Sequence, residues 1–258
     1  MTILTLLARS PRLARAVPQY AEEIGAEAKV LAAAGLPRRS ALALAARHRL
    51  THRFVPSPHY VSELTLVAAA VIERRDQPGD VIELGAYKGS SAAKLSSACR
   101  LAGKRLWVFD SFEGLPEPAM DDAEHQIERR RCFARGDYAG SLEEVRSAVR
   151  RFGSLGVCTF VPGWFSETLA HFHEELSVAF VDVDLTESTR QAVAATWPSL
   201  VDGGILFVHD ATDAKLRTLL ADPDWWRELG AEPRTSFLPS RTDGFLERRS
   251  RTLAWFLK

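Results

Sequence analysis

A chain of 258 residues is long enough for one large α/β domain with a substantial core. Its 33 lysines and arginines balance 33 aspartates and glutamates, so the formal net charge is zero, which argues against a general attraction to nucleic acid or an anionic membrane. The three cysteines, Cys99, Cys132 and Cys158, are far apart and lack metal-ligand spacing, which suits free thiols in a reducing, cytoplasmic setting. The longest apolar run, near Leu64 to Ile72, is too short to span a bilayer.

Residues 1–60 read as a helical extension and residues 61–258 as the main domain. Met1 to Val17 is apolar with Arg9, Arg12 and Arg15 and no acid; punctuated by Pro11 and Pro18, it reads as an amphipathic helix rather than a transit peptide. Tyr20 to Ala34 is a helix stopped by Gly35 and Pro37, and Ser40 to His48 is another. His48, Arg49, His52 and Arg53 form a basic cluster, either a solvated surface or a lid or dimer contact. Phe54 to Pro58 breaks the chain before a helix from Ser62 to Glu73. The core then alternates. Strands are expected over Val81–Gly85, Leu106–Ser111, Val157–Val161, Val178–Asp184 and Gly204–Asp210. Helices are expected over Ser90–Ala102, Ser141–Phe152, Ser166–Leu176, Thr186–Leu200 and Asp213–Ala221. Near-continuous apolar strands suit a parallel sheet covered on both faces. Pro233–Leu238 and Arg251–Lys258 read as an antiparallel pair closing one edge. The expected fold is therefore α/β: a Rossmann-like, mostly parallel sheet with an antiparallel C-terminal hairpin strand and an N-terminal helical extension.

Ligands of such sheets sit beyond the carboxyl ends of the strands. The polar residues there are Glu83, Asp110, Ser111, Asp182, Asp184, His209 and Asp210. Burying an unpartnered carboxylate costs several kcal/mol, so acids ending several strands point to a site rather than a core. Gly85 and Gly89 bracket a strand–helix turn that lets a ligand approach the backbone, but their spacing is not the dinucleotide fingerprint. Asp110 can accept both hydroxyls of a ribose or cap a helix. Asp182 and Asp184 face one way if their strand reaches them, and with Asp210 they make a plausible Mg²⁺ site. Asp184 has the alternative of capping the helix at Thr186. Glu113 to Gly140 is long enough to be a lid; it carries His125, a candidate general base, and the arginines 129–131. Trp164 and Phe165 are either core or an aromatic wall against a purine. His171 and His173, at i and i+2 of one expected helix, face apart and make a poor metal pair. Trp225 and Trp226 read as packing.

Taken together, VIELGAYKGSS, LWVFDSFEGLPEP, FVPGWFSETL, VAFVDVDLTEST and PSLVDGGILFVHD resemble the macrocin O-methyltransferase family, over about residues 59–212. The ELGAY turn is also similar to catechol O-methyltransferases. The resemblance implies a class I methyltransferase sheet and the cofactors S-adenosylmethionine and Mg²⁺. It implies that Glu83, Gly85, Ala86, Tyr87 and Ser91 surround the methionine part of the cofactor. Asp110 would bind the ribose, with Ser111 and Phe112 beside the adenine and Gly163 and Trp164 at its other edge. Asp182 and Asp210 would hold the metal, with Asp182 also contacting the cofactor. Two positions depart from the pattern. Ala211 stands where a further acid or amide is usual, a gap Asp184 would have to fill, and Leu185 stands where catechol-type enzymes carry a lysine base. That puts the weight of base catalysis on His125 or His209.

The expected activity is methyl transfer from S-adenosylmethionine to a hydroxyl of a small natural product, sugar- or nucleoside-like. Metal-independent transfer to a carboxylate or an amine is an alternative. A cofactor-binding protein that transfers no methyl is another. The expected partner is the small acceptor, with neither nucleic acid nor membrane, and the helical extension offers the surface of a homodimer.

Overall fold

The apolar runs form five parallel strands in a computed structural model of the chain: β1 (Asp80–Leu84), β2 (Leu106–Asp110), β3 (Cys158–Pro162), β4 (Leu176–Val181) and β5 (Leu200–Val208). The structure describes residues 11–119, 133–232, 234–237 and 252–258. Two further strands, β6 (Arg234–Phe237) and β7 (Ala254–Leu257), complete a sheet of order β3-β2-β1-β4-β5-β7-β6. β7 runs antiparallel to both β5 and β6. The chain moves outward from β1 through β2 to β3, then returns to β4 on the other side. The order therefore reverses between β1 and β4, and a crevice opens at their carboxyl ends.

Register fixes what meets in that crevice. Leu84 pairs with Val181, so Gly85 comes beside Asp182. The Gly85 N–H donates to the Phe109 carbonyl at 2.9 Å, and the Asp182 N–H donates to the Leu84 carbonyl at 2.9 Å. Gly85 has φ +89°, and a Cβ there would lie 1.9 Å from the Asp182 carbonyl oxygen. Only glycine lets the turn leave β1 this close to β4.

The helices cover both faces. On one side lie α1 (Pro11–Ala33), α2 (Arg38–Phe54), α3 (Val61–Glu73), α4 (Ser90–Ala102) and α5 (Leu142–Phe152). Leu31, Leu44, Leu64, Leu95 and Val149 share one buried cluster there with Val81, Val108, Val178 and Phe180. On the other side lie α6 (Phe165–Thr168), α7 (Thr186–Thr196), α8 (Ala214–Ala221) and α9 (Pro223–Glu228). Their Val193, Leu220, Trp225 and Trp226 pack on Ile82, Leu84, Val181, Leu206 and Phe256. Alternate residues of β1 thus face opposite layers, which puts Glu83 with Val81 on the α1–α5 side. The N-terminal helices share this core rather than resting on it.

Four expectations change. α1 continues through Pro18, which gives up one backbone hydrogen bond there. In the basic cluster, His48 is fully buried and Arg49 pairs with Glu23 and Glu27, so neither belongs to a solvated face or a lid. The helix expected from Ser166 to Leu176 is only α6 and a 3₁₀ turn, Leu169–His171. Phe172 leaves it to pack edge-on against Trp107 and Phe109, with centroids 5.5 and 5.4 Å away, and Leu176 already belongs to β4. Finally, β4 stops at Val181, and Asp184 has φ +58°. Asp182 and Asp184 are therefore not consecutive same-face residues of a strand.

Leu31 is fully buried in the shared cluster. Leu31→Ala is expected to cost about 2–5 kcal/mol of global stability, read as a lower midpoint in a single denaturant transition. An unchanged midpoint would show that α1 packs loosely on the rest.

Candidate active site

The crevice is a cavity of about 930 Å³ at the carboxyl ends of β1, β2, β4 and β5. At its β1–β2 end, Asp110 terminates β2 and locks the glycine turn. One carboxylate oxygen accepts from the Ala86 and Tyr87 N–H groups at 2.6 and 3.3 Å. The other accepts from the Phe112 N–H at 2.7 Å. Burial still holds the Asp110 carboxyl above its ordinary range, against the pull of those three amides. A carboxylate offers about four acceptor positions, so capacity remains toward the cavity.

Asp182 follows β4 at the centre of the cavity. One of its oxygens lies 2.6 Å from His59 Nε2. With Nε2 donating, the other His59 nitrogen accepts from the Ser57 hydroxyl at 3.2 Å. The second Asp182 oxygen lies 2.9 Å from His209 Nδ1, at ion-pair distance though not in line for a hydrogen bond. His209 Nε2 meets the Thr252 hydroxyl at 3.1 Å, and that hydroxyl donates to Glu63. The other Glu63 oxygen accepts from the Tyr60 N–H at 2.9 Å at the start of α3, where a helix N-terminus favours a carboxylate. The two imidazoles touch edge-on with centroids 4.6 Å apart.

These contacts set the charges. Burial pushes Asp182 up, but the charge of His209 and His59 and the bond from His59 outweigh it and hold Asp182 well below the usual carboxylate range. Burial pushes His209 down, but Asp182, with contacts to Asp210 and Glu63, raises it well above an ordinary histidine. Glu63 follows the same pattern: burial raises it, while the bond and charge of His209, the Thr252 hydroxyl and the Tyr60 amide bring it below its usual value. The site at neutral pH thus contains an imidazolium among carboxylates.

Of the residues expected from the sequence, Gly85, Tyr87, Asp110, Ser111, Gly163, Trp164, Asp182, Asp184, His209 and Asp210 all line the cavity. Glu83, Ala86 and Ser91 lie buried behind the turn, and Phe112 is not part of the lining. His125 falls outside the described residues. Asp210 has φ +54° and a side chain about one-third exposed, with an oxygen 3.4 Å from His209 Nδ1. His59, Glu63 and Thr252 were not anticipated. Tyr60 with Glu63 three residues on carries a helix-start spacing that could have drawn attention to Glu63. Thr252 had no local signal.

The donor set fits Mg²⁺ poorly. Mg²⁺ demands a near-octahedral shell of oxygens, whereas both Asp182 oxygens are engaged by imidazoles and Ala211, at the position expected to supply another ligand, is a buried methyl. Among the described residues, the ligand-type atoms that converge are those of His59, Asp182 and His209.

Residues 59–223, more than half of the chain, match the family described as Macrocin-O-methyltransferase (TylF). Over 143 residues, 53% of this chain and 55% of the relative, the sequence is 38% identical to an 8-demethyl-8-(2,3-dimethoxy-alpha-L-rhamnosyl)-tetracenomycin-C 4'-O-methyltransferase of Streptomyces olivaceus. Over 141 residues, 52% of this chain and 55% of the relative, it is 31% identical to a mycinamicin III 3''-O-methyltransferase of Micromonospora griseorubida. The chain spans about half the length of these curated relatives. Among solved structures, it resembles the O-methyltransferase NovP with a TM-score of 0.60 and 23% identity, over 77% of this chain and 80% of that one. It resembles the calicheamicin methyltransferase CalS11 with a TM-score of 0.57 and 18% identity, over 96% and 93%. At those identities the likeness is one of fold.

Glu83 lies behind the turn, fully buried, and among the described residues neither of its oxygens has a hydrogen-bond partner. Burial pushes it up to about 8, only partly offset by Ser91 and Lys94. Between its ordinary value of 4.5 and about 8, the folded chain keeps a proton that the unfolded chain has lost. Stability from this group is therefore lost as pH rises through that window, by up to about 1.4 kcal/mol per pH unit. Glu83→Gln should remove this slope, so denaturant unfolding should show the variant gaining on the parent from about pH 5 to about pH 8. Parallel pH profiles would contradict the assignment.

Proposed function

The chain belongs to the macrocin O-methyltransferase family, and on that premise we propose that it transfers the methyl group of S-adenosylmethionine to a hydroxyl of a small natural product. A sugar- or nucleoside-like acceptor is in keeping with relatives whose names specify a rhamnosyl tetracenomycin and mycinamicin III. The observation that carries the reading is Asp110. It is pinned on three backbone amides beside a glycine turn, with acceptor capacity left toward the cavity, as a ribose-binding carboxylate requires.

In this reading the methionine part of the cofactor lies along Gly85 to Tyr87 and the adenine runs toward Ser111, Gly163 and Trp164. The acceptor enters past Tyr60 and Gln191. The O–CH₃ bond forms as the S–CH₃ bond breaks, leaving neutral S-adenosylhomocysteine, and the hydroxyl proton passes to a carboxylate. We place that base at Asp184 or Asp210, which line the cavity, rather than at His209, whose nitrogens face Asp182 and Thr252. Alignment of oxygen, methyl and sulfur is the main contribution asked of the protein, worth about 7–11 kcal/mol in well-oriented systems. The poor fit to Mg²⁺ favours one second reading, transfer to a carboxylate or amine, which needs no metal. The reading includes a cytoplasmic location, in keeping with free Cys99 and Cys158, and a homodimer through α1 and α2, where Tyr20, Leu42 and Leu50 are exposed.

Titration calorimetry with S-adenosylhomocysteine should show one site per chain. Asp110→Asn and Asp110→Ala should weaken it at least about tenfold, or about 1.4 kcal/mol. No binding to the folded parent would overturn the proposal.

A further inference from the structure

The network around Asp182 has a consequence for the metal that the family resemblance implies. We propose that the protein binds no divalent cation here, and that the buried chain His59–Asp182–His209, closed by Glu63 and Thr252, neutralises and fixes the Asp182 carboxylate in a cation's place. This rests on the methyl-transfer reading above.

Three features support it. Both Asp182 oxygens are taken, one by His59 at 2.6 Å and one by His209 at 2.9 Å. Each imidazole is also held at its far nitrogen, His59 by Ser57 at 3.2 Å and His209 by Thr252 at 3.1 Å. With His59 donating from Nε2 and His209 set against Asp182 as an ion pair, the ring nitrogens that face the carboxylate occupy the positions a metal would need. The charges are already balanced by a side chain: His209 has Asp182, Asp210 and Glu63 within 2.9, 3.4 and 3.5 Å. A dication would have to displace it. Ala211 adds no ligand; its N–H donates to the Thr252 carbonyl at 2.8 Å, which ties the C-terminal segment to the site instead. The acceptor therefore meets side chains rather than an open coordination position. The competing occupant is a borderline ion such as Zn²⁺, because the ligand-type atoms of His59, Asp182 and His209 lie within 4.8 Å of one another and two imidazoles with a carboxylate suit it.

The test uses the full chain purified without chelator. Its metal content is measured by mass spectrometry. Its melting temperature is followed in titrations with Mg²⁺, Mn²⁺ and Zn²⁺, and S-adenosylhomocysteine binding is measured with and without chelator. The expected result is substoichiometric metal, no rise in melting temperature with any of the ions, and affinities equal within about twofold. One retained equivalent of any metal, or a saturable rise in melting temperature, would overturn the proposal. Failure of S-adenosylhomocysteine to bind would instead remove the methyl-transfer reading, while the metal titrations still report on the site. His209→Asp replaces the internal cation with a carboxylate beside three others and should bind Mn²⁺ at least about tenfold more tightly than the parent. Equal Mn²⁺ binding by both would count against the proposal. If this variant does not fold, the parent's metal titrations decide.

Discussion

Asp182 is a charged carboxylate at the end of a buried central strand, and the arrangement of the site follows from keeping it charged. An uncompensated buried charge costs several kcal/mol. Compensation comes from segments far apart in sequence. The break at Phe54–Pro58 delivers His59, the first turn of α3 delivers Glu63, the end of β5 delivers His209, and the approach to β7, two residues before the strand, supplies Thr252. His59 donates to Asp182 and Thr252 to Glu63, while His209 meets Asp182 as an ion pair, so removing any one member strands another. The antiparallel strand β7 thereby has a purpose beyond closing the sheet: it brings Thr252 between His209 and Glu63.

A second polar layer lies behind the glycine turn. Glu83 points away from the cavity toward α4, where Lys94 is wholly buried and bonds the Ser90 hydroxyl at 3.0 Å. Burial pushes Lys94 down to about 7, partly offset by Glu27 and Glu83. Glu27, from α1, is itself paired with Arg49 of α2. His48, nearby on α2, is buried with no hydrogen-bond partner among the described residues and is pushed down to about 3 by burial and by Lys94. The N-terminal helices thus bring both apolar side chains and counter-charges to the back of the glycine turn.

Much of the fold was legible in the sequence. The strands are apolar runs punctuated by glycine and acids, and the α4 boundaries follow directly from Gly89 and Gly103, both at positive φ. The helix expected from Ser141 forms as α5, where Ser141 and Glu144 make a capping box. Local pattern failed where tertiary packing decided. The segment after β3 has helical residues, but Phe172 is worth more against Trp107 and Phe109 than in another turn. Asp110, Asp182 and Asp210 were legible as candidate site residues because a strand-end carboxylate is costly to bury unpartnered, whereas Glu83, near the end of β1, lies in the core. His59 and Thr252 were not, because a histidine after a proline and a threonine before a strand acquire meaning only when the sheet order sets them beside Asp182. The Asp182–Asp184 pairing failed for the opposite reason: it assumed a strand reaching Asp184, three residues past the Val181 end that forms.

The most direct test of this account is a crystal structure grown with S-adenosylhomocysteine and Mn²⁺, with anomalous data at the manganese edge. The account predicts the ribose on Asp110, the homocysteine along Gly85 to Tyr87, His59 and His209 still on Asp182, and no anomalous peak at that carboxylate. A manganese peak on Asp182 and Asp210 with the imidazoles displaced, or the nucleoside bound elsewhere, would contradict it.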